Sequence, residues 1–366
     1  MGLLNGSLTL QRFIALGPVP NSDKIAEMLE KNCFTPFEGG SEDMRHGFVD
    51  WRNPLITKCD KDWLFQDRYA VFQLRIDTRK IPASLLKAHL DLKIEQVKKQ
   101  HDLAFVSKDL KTELQDEIKD TLLPKITPSM KCFDIAWDLK KGMIWTTASN
   151  KNAKDTLIEL FIQMFNIELQ SLNPVYLAAS LTPEIPEEYF RKINPTLEIT
   201  CDVLANEFIT YLWMCGHTIN GASGIDADTS VCFLDQSINL FSERGEVQEI
   251  TLKKGNPTES VPAFQALSEG MYPTQAKVRL MSGDLEWTFN LKADGLKISG
   301  LKLPPTKSKD LISILSNRLF SLEECTTLID NRFAQYLRRR HKDEDKLALE
   351  TEKWIKENLS QDEQNQ

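Results

Sequence analysis

Apolar and polar positions alternate with period two along Tyr69–Asp77. Ala70, Phe72, Leu74 and Ile76 fall on one side, and Gln73, Arg75 and Asp77 on the other, the pattern of a strand. Ser7–Leu16 reads the same way, and Ser22 is placed to cap a helix running to about Lys31. After Pro82 and Ser84 the spacing changes to three and four. Leu86, Leu90, Ile94 and Val97 form one stripe, which predicts a long helix to about Gln100. A short link with Ser107 as cap leads into a second helix, with Leu110, Leu114 and Ile118 inward, stopped by Pro124. A hairpin follows, Cys132–Trp137 and Met143–Thr147, turned at Lys140–Gly142. A helix over Ala153–Phe165 and a short apolar strand, Val175–Ala179, complete this half.

Pro183, Pro186 and Pro195, among charged residues, mark a boundary. Beyond it Leu197–Met214 reads as a buried helix and Gly216–Gly224 as a polar, flexible break. Strands are predicted at Val231–Leu234, Val247–Leu252, Ala276–Met281, Leu285–Leu291 and Leu296–Leu301, with a helix at Pro262–Ser268. Asp294–Gly295 supplies the turn between the last two strands. Pro304 and Pro305 end the sheet and lead into helix over Lys309–Arg338. The tail from His341 is charged and partly helical, with a frayed end at Gln361–Gln366. The class is mixed α/β, or α+β. The expected organisation is an N-terminal region 1–182, a linker 183–196, a C-terminal region 197–340 and a tail 341–366.

Composition narrows the functions. The 366 residues are 41% hydrophobic and 27% charged, the balance of a globular protein. The first residues lack a basic start and an apolar core, and no stretch is apolar for the roughly 18 residues a membrane span needs. The expectation is a cytoplasmic protein without a membrane partner. Seven scattered cysteines without a CxxC pair fit reduced thiols. A net charge of −8 argues against a uniformly basic surface. It leaves open a local basic face, because charges beyond a Debye length of about 8 Å are screened.

No catalytic residue, metal site or cofactor is assigned. Asp284 and Glu286 have the spacing of paired carboxylates on one strand face, yet lack a following lysine and sit beside Ser282–Gly283, a turn signal. Cys201, Cys215, His217 and Cys232 supply zinc-ligand types at a spacing that fits no common zinc module. There is no phosphate-binding glycine loop, dinucleotide fingerprint or hydrolase signature.

On a helical wheel, Lys87, Asp91, Glu95 and Lys98 form a mixed sector of Lys80–Gln100, whereas His89, Lys93, Gln96 and Gln100 form an acid-free one. Lysine charge with glutamine and histidine donors suits phosphate contacts that distinguish no base. An ordinary amphipathic helix with a solvated face explains the same pattern. Lys98 and Lys99 also suit the negative end of a helix dipole. The second helix is acidic on balance. Lys125 and Lys131, where acids thin out, are further candidates. So are Lys253 and Lys254, displayed before the Gly255–Asn256–Pro257 turn. Arg338–Lys342, followed by Asp343, Glu344 and Asp345, reads as a solvated helix end.

Several segments in chain order resemble the RdgC family: CFTPFEGGSEDMRHGFV at Cys33–Val49, KIPASLLKAHLDLKIEQVKKQ at Lys80–Gln100, LLPKITPSMKCFDIAWD at Leu122–Asp138 and ASNKNAKDTL at Ala148–Leu157. EFITYLW at Glu207–Trp213 adds a fifth. The resemblance implies a two-lobed protomer of antiparallel sheets and packed helices, assembled as a ring-shaped homodimer around duplex DNA. It implies sequence-independent contacts to phosphate, a nucleoid location and antagonism of the RecA recombinase. His89, Lys93, Gln96, Lys98, Lys99, Gln100, Lys125, Lys131, Lys253 and Lys254 are the residues placed to bind DNA. The alternatives are a metal-dependent exonuclease and a protein-interaction scaffold with weak DNA binding.

Overall fold

The computed structural model describes residues 2–58, 60–102, 104–193, 203–219, 230–243 and 248–363. It is an α+β chain, 48% helical and 26% strand, with two compact units. The N-terminal unit is Ala15–Leu169; the C-terminal unit is Met1–Ile14 with Gln170–Gln366. The proline-rich stretch 183–196 therefore lies inside the C-terminal unit. Of that stretch, Glu187–Ile193 is helix and Pro195 lies outside the described residues.

In chain order the first elements are β1 (Leu8–Leu16), α1 (Ser22–Lys31), β2 (Met44–Val49), α2 (Lys61–Leu64), β3 (Phe65–Gln66) and β4 (Tyr69–Thr78). Next come α3 (Ala83–His101), α4 (Lys108–Leu122), β5 (Ser129–Asp138), β6 (Met143–Thr146) and α5 (Lys151–Phe165). In the N-terminal unit β2, β4, β5 and β6 pair antiparallel in that order, and β3 folds back on the start of β4. The alternation in β4 is realised: Phe72, Leu74 and Ile76 are buried with Phe48 and Ile135. Phe48 meets Phe72 edge-on, and Trp137 of β5 packs on Phe161 and Phe165 of α5. Two helix starts differ from the sequence expectation by a residue or more. Asn21, not Ser22, caps α1 by accepting from the Lys24 N–H, and Asn150 starts α5.

α3 and α4 form a helical hairpin with its own small core. Leu90, Leu114, Ile118 and Leu122 are buried together, with Ile81, Leu86, Ile94, Val97 and Leu110 against them. Ser107 caps α4 as its position predicts. Pro124 does not stop the chain abruptly; one 3₁₀ turn, Leu123–Lys125, carries it past.

The remaining elements are β7 (Glu168–Ser171), α6 (Pro174–Leu181), α7 (Glu187–Ile193), α8 (Val203–Ile219), β8 (Val231–Phe241) and β9 (Glu249–Lys253). They are followed by α9 (Val261–Ser268), β10 (Tyr272–Ser282), β11 (Leu285–Lys292), β12 (Lys297–Lys302), α10 (Leu311–Lys342) and α11 (Glu344–Glu363). The apolar run Val175–Ala179 is helix α6, not a strand. Asn173 caps it by accepting from the Tyr176 N–H, and Pro174 occupies its first turn, two start signals that outweigh a β-branched residue. Gly216 belongs to α8, while 220–224 of the expected break, Leu197–Asp202 of the expected helix and Val247 of the expected strand lie outside the described residues. So do Cys59, Cys201 and the last three residues, 364–366.

In the C-terminal unit the antiparallel order is β1–β12–β11–β10–β8–β9. One face of these strands is apolar and buried: Leu234, Ile238, Leu240, Ala276, Val278, Leu280, Trp287, Phe289, Leu291 and Ile298. Helices cover it. The Trp287 indole N–H donates to Ser321 of α10 at 2.8 Å, and Phe208 of α8 packs on Phe333 and Tyr336. Trp354 of α11 meets Trp213 and Phe264, so the tail is anchored helix. Arg340, expected at a solvated helix end, is 5% exposed and donates to Glu207, Glu344 and Tyr189. Among the described residues no helix is long and apolar enough to cross a membrane.

Two substitutions test this packing. Arg12 Nη1 of β1 donates to both carboxylate oxygens of Asp330 of α10, at 2.7 and 2.9 Å, with both side chains largely withdrawn from solvent. Removing one partner leaves a buried charge, so Arg12→Met or Asp330→Leu alone should cost about 3–5 kcal/mol in chemical denaturation. The double replacement should recover most of that loss. At Gly47 an added Cβ would lie 2.5 Å from the Phe34 Cα. Gly47→Ala should therefore cost about 1–3 kcal/mol by overpacking.

Candidate nucleic-acid interface

The ten sequence candidates fall into separate places. On α3, His89, Gln96, Lys99 and Gln100 are exposed, and Lys98 is half-buried in the last turn. The strip is acid-free within its own helix but not in the fold: Lys93 Nζ donates to Glu117 of α4 at 2.8 Å. Helical packing turns Lys93 toward the acidic surface of its neighbour, a relation the α3 sequence alone does not contain. The strip is also less polar than its named residues. Leu85 and Leu92 share its angular sector, 38% and 61% exposed, and Phe105 near the hairpin tip is 76% exposed. Lys125 ends the 3₁₀ turn and Lys131 lies on β5 opposite Ile76, both exposed.

In the C-terminal unit Lys253 closes β9 and Lys254 follows it with a left-handed backbone, φ +70°; both are exposed. The Lys254 N–H donates to the Gln236 carbonyl at 3.1 Å, which fixes this corner against β8. These two lysines border a larger surface. Because the apolar residues of β10, β11 and β12 face the helices, their alternate residues face out. Register then sets rows across the strands: Lys277 opposite Asn290 opposite Ser299, and Gln275 opposite Lys292 opposite Lys297. Thr288 opposes Lys302, and on the other side Asn239 opposes Gln275 and Thr251.

This open face carries Lys253, Lys277, Arg279, Lys292, Lys297 and Lys302 among Asn, Gln, Ser and Thr. Its acids are placed unevenly. Asp235 and Glu286 take Arg279, at 3.0 and 3.6 Å, and Asp294 takes Lys297. Lys277 donates to the Gln236 side chain at 2.6 Å, keeping its charge unneutralised. Lys292 and Lys302 are exposed on adjacent strands. Lys277, Lys292 and Lys302 escaped the sequence reading. The signal was there, since Gln275, Lys277 and Arg279 alternate with Ala276, Val278 and Leu280. It needed the register of three strands to become a surface.

The nuclease and zinc candidates do not assemble. Asp284 lies in the β10–β11 turn beside Gly283, and Glu286 is drawn to Arg279. Cys201 lies outside the described residues, as does the His217 side chain. Among the described residues, no group of three or more His, Cys, Asp and Glu is placed to hold a metal ion. Two thiols of the chain have their protonated form favoured by burial. Burial pushes Cys132 up to about 11 and Cys232 up to about 12, the opposite of an activated thiol.

Residues 10–183 match the family model described as "Putative exonuclease, RdgC". No curated protein matches the chain. That match covers most of β1, the N-terminal unit with its helical hairpin and residues 170–183 of the C-terminal unit, the same part in which four of the five resembling segments lie, and over that part the chain is similar to the RdgC family.

Proposed function

We propose that this protein binds duplex DNA without reading its sequence, acts as a homodimer that encircles the duplex, and limits RecA-mediated recombination. The observation that carries this reading is the open sheet face of the C-terminal unit. Five strands at ~4.8 Å spacing make it ~19 Å across, about the width of a duplex. It presents lysines and amide or hydroxyl donors in rows. Such groups neutralise and bind phosphate, and they carry no base discrimination. The similarity of residues 10–183 to the RdgC family supports the recombination role. Exposed Leu85, Leu92 and Phe105 on the α3–α4 hairpin support self-association through that arm, since apolar side chains this exposed mark contact surfaces when they cluster.

The test is a titration of labelled duplexes of unrelated sequence at several salt concentrations, without and with Mg²⁺. Binding should be alike for all sequences and fall steeply with salt, with the DNA left intact. The double variant Lys277→Glu with Lys292→Glu should weaken every duplex by about tenfold or more and flatten the salt slope by about two for each protomer in contact, about four for the dimer. Lys119→Glu, on the acidic helix, should leave affinity near the wild-type value. A sequence-dependent effect of the double variant would overturn the phosphate-contact reading. Mg²⁺-dependent loss of the label would favour the exonuclease alternative.

Self-association has its own measurement. Sedimentation at micromolar concentration should give a dimer, and Leu92→Asp with Phe105→Asp should shift it toward monomer while leaving the melting temperature within a few degrees. A wild-type monomer at that concentration would sink the encircling arrangement.

A further inference from the structure

The N-terminal unit holds five arginines, and four of them have a carboxylate partner. Arg45 reaches Glu42 at 2.5 Å, Arg52 reaches Asp50 at 2.6 Å, Arg68 reaches Asp138 at 3.0 Å and Arg75 reaches Asp77 at 2.6 Å. Arg79 is the exception among the described residues. It is also the most buried of the five, 8% exposed. Its guanidinium lies on the Phe37 ring, 3.9 Å from the centroid. Its side chain makes a single long hydrogen bond, from Nη1 to the Gly40 carbonyl at 3.3 Å. The Nε is buried with no acceptor.

The surroundings hold this charge in place without satisfying it. The Arg79 backbone N–H donates to Asp43 at 2.7 Å, pinning the residue just past β4 against the 35–43 loop. Phe37 is shared with Arg45, whose guanidinium carbon is 5.5 Å from the same ring. The hydrogen bond and charge of Arg45, with the charge of Arg79, hold the Glu42 carboxyl below the usual range, and its hydrogen bond goes to Arg45. A guanidinium withdrawn from water without a hydrogen-bonded counter-charge is costly, and its Nε–Nη edge has the fork geometry for two oxygens of an anion.

We propose that Arg79, seated on Phe37, is a receptor for a phosphoryl oxyanion, taken through the Nε–Nη edge. The same chemistry is offered by free phosphate and by a nucleic-acid backbone. This site lies in the N-terminal unit and does not depend on the lysine-bearing sheet face.

The experiment titrates the full-length protein with inorganic phosphate and follows the melting temperature against chloride at matched ionic strength. Wild type should show a saturable rise that chloride does not give, because a ligand bound to the folded state stabilises it by mass action. Arg79→Met should weaken phosphate at least about tenfold. Arg79→Lys, which keeps charge but loses the fork, should weaken it as well and decides the matter if the methionine variant does not fold. DNA titration of the same variants separates the sources. Lost duplex affinity assigns the site to backbone phosphate, and unchanged affinity assigns it to free phosphate. No phosphate-specific rise in wild type, together with unchanged duplex affinity in Arg79→Lys, would overturn the proposal whatever becomes of the sheet-face variants.

Discussion

Burial of one face of the C-terminal strands against helices α8 and α10 is the constraint from which that unit's surface follows. Leu280, Val278, Trp287, Phe289 and Ile298 are packed away, at roughly 1.5–3 kcal/mol for a fully buried large apolar side chain. A slip of one residue would expose that whole set, so register is strongly specified. Once it is, Lys277, Asn290 and Ser299 have no choice but to stand in one row on the opposite side. The cationic face is thus a by-product of the same alternation that builds the core. Of its acids, Asp235, Glu286 and Asp294 are engaged by Arg279 and Lys297, and Glu249 stands at the far end of β9 from Lys253.

The N-terminal unit solves a different problem. Polar residues of β4 and β5 are enclosed there and must be satisfied. Asp77 and Asp138 are 3% and 0% exposed, and each is met by an arginine. Gln73 donates to Asp134 at 2.6 Å. Buried polar groups of this kind are affordable only when paired. Against that background Arg79, with one long hydrogen bond to the Gly40 carbonyl and no carboxylate partner among the described residues, stands out. Gly47 contributes to the same region: with no Cβ it lets the backbone of Phe34 lie directly on β2, which brings the following loop and Phe37 over the sheet.

The helical hairpin joins the two themes. Its internal stripe makes a small core of its own, and its outer surface mixes His89, Gln96, Lys99 and Gln100 with exposed Leu85 and Leu92. An arm built this way can offer polar donors and apolar contact area together. Net charge describes none of this. The chain is acidic at −8, while its cations are sorted by strand register and helix packing into places where acids are few or already engaged.

Much of the local structure was legible in the residues. Period-two alternation fixed β4, three-four spacing fixed α3 and α4, and Ser107 before Lys108 marked a helix start, because these signals act between neighbours in the chain. The strand expected at Val175–Ala179 is helix for a local reason too: Asn173 caps it and Pro174 sits in its first turn. The family resemblance rested on order and spacing within one stretch, and that was enough. What the sequence could not decide were relations across long separations. Glu117 meets Lys93 only because two helices pack. Arg340 is buried only because Glu207 and Glu344 close around it. Lys277, Lys292 and Lys302 share a surface only because three strands pair in one register. Such contacts depend on which faces the core consumes, and that is settled when the whole chain folds.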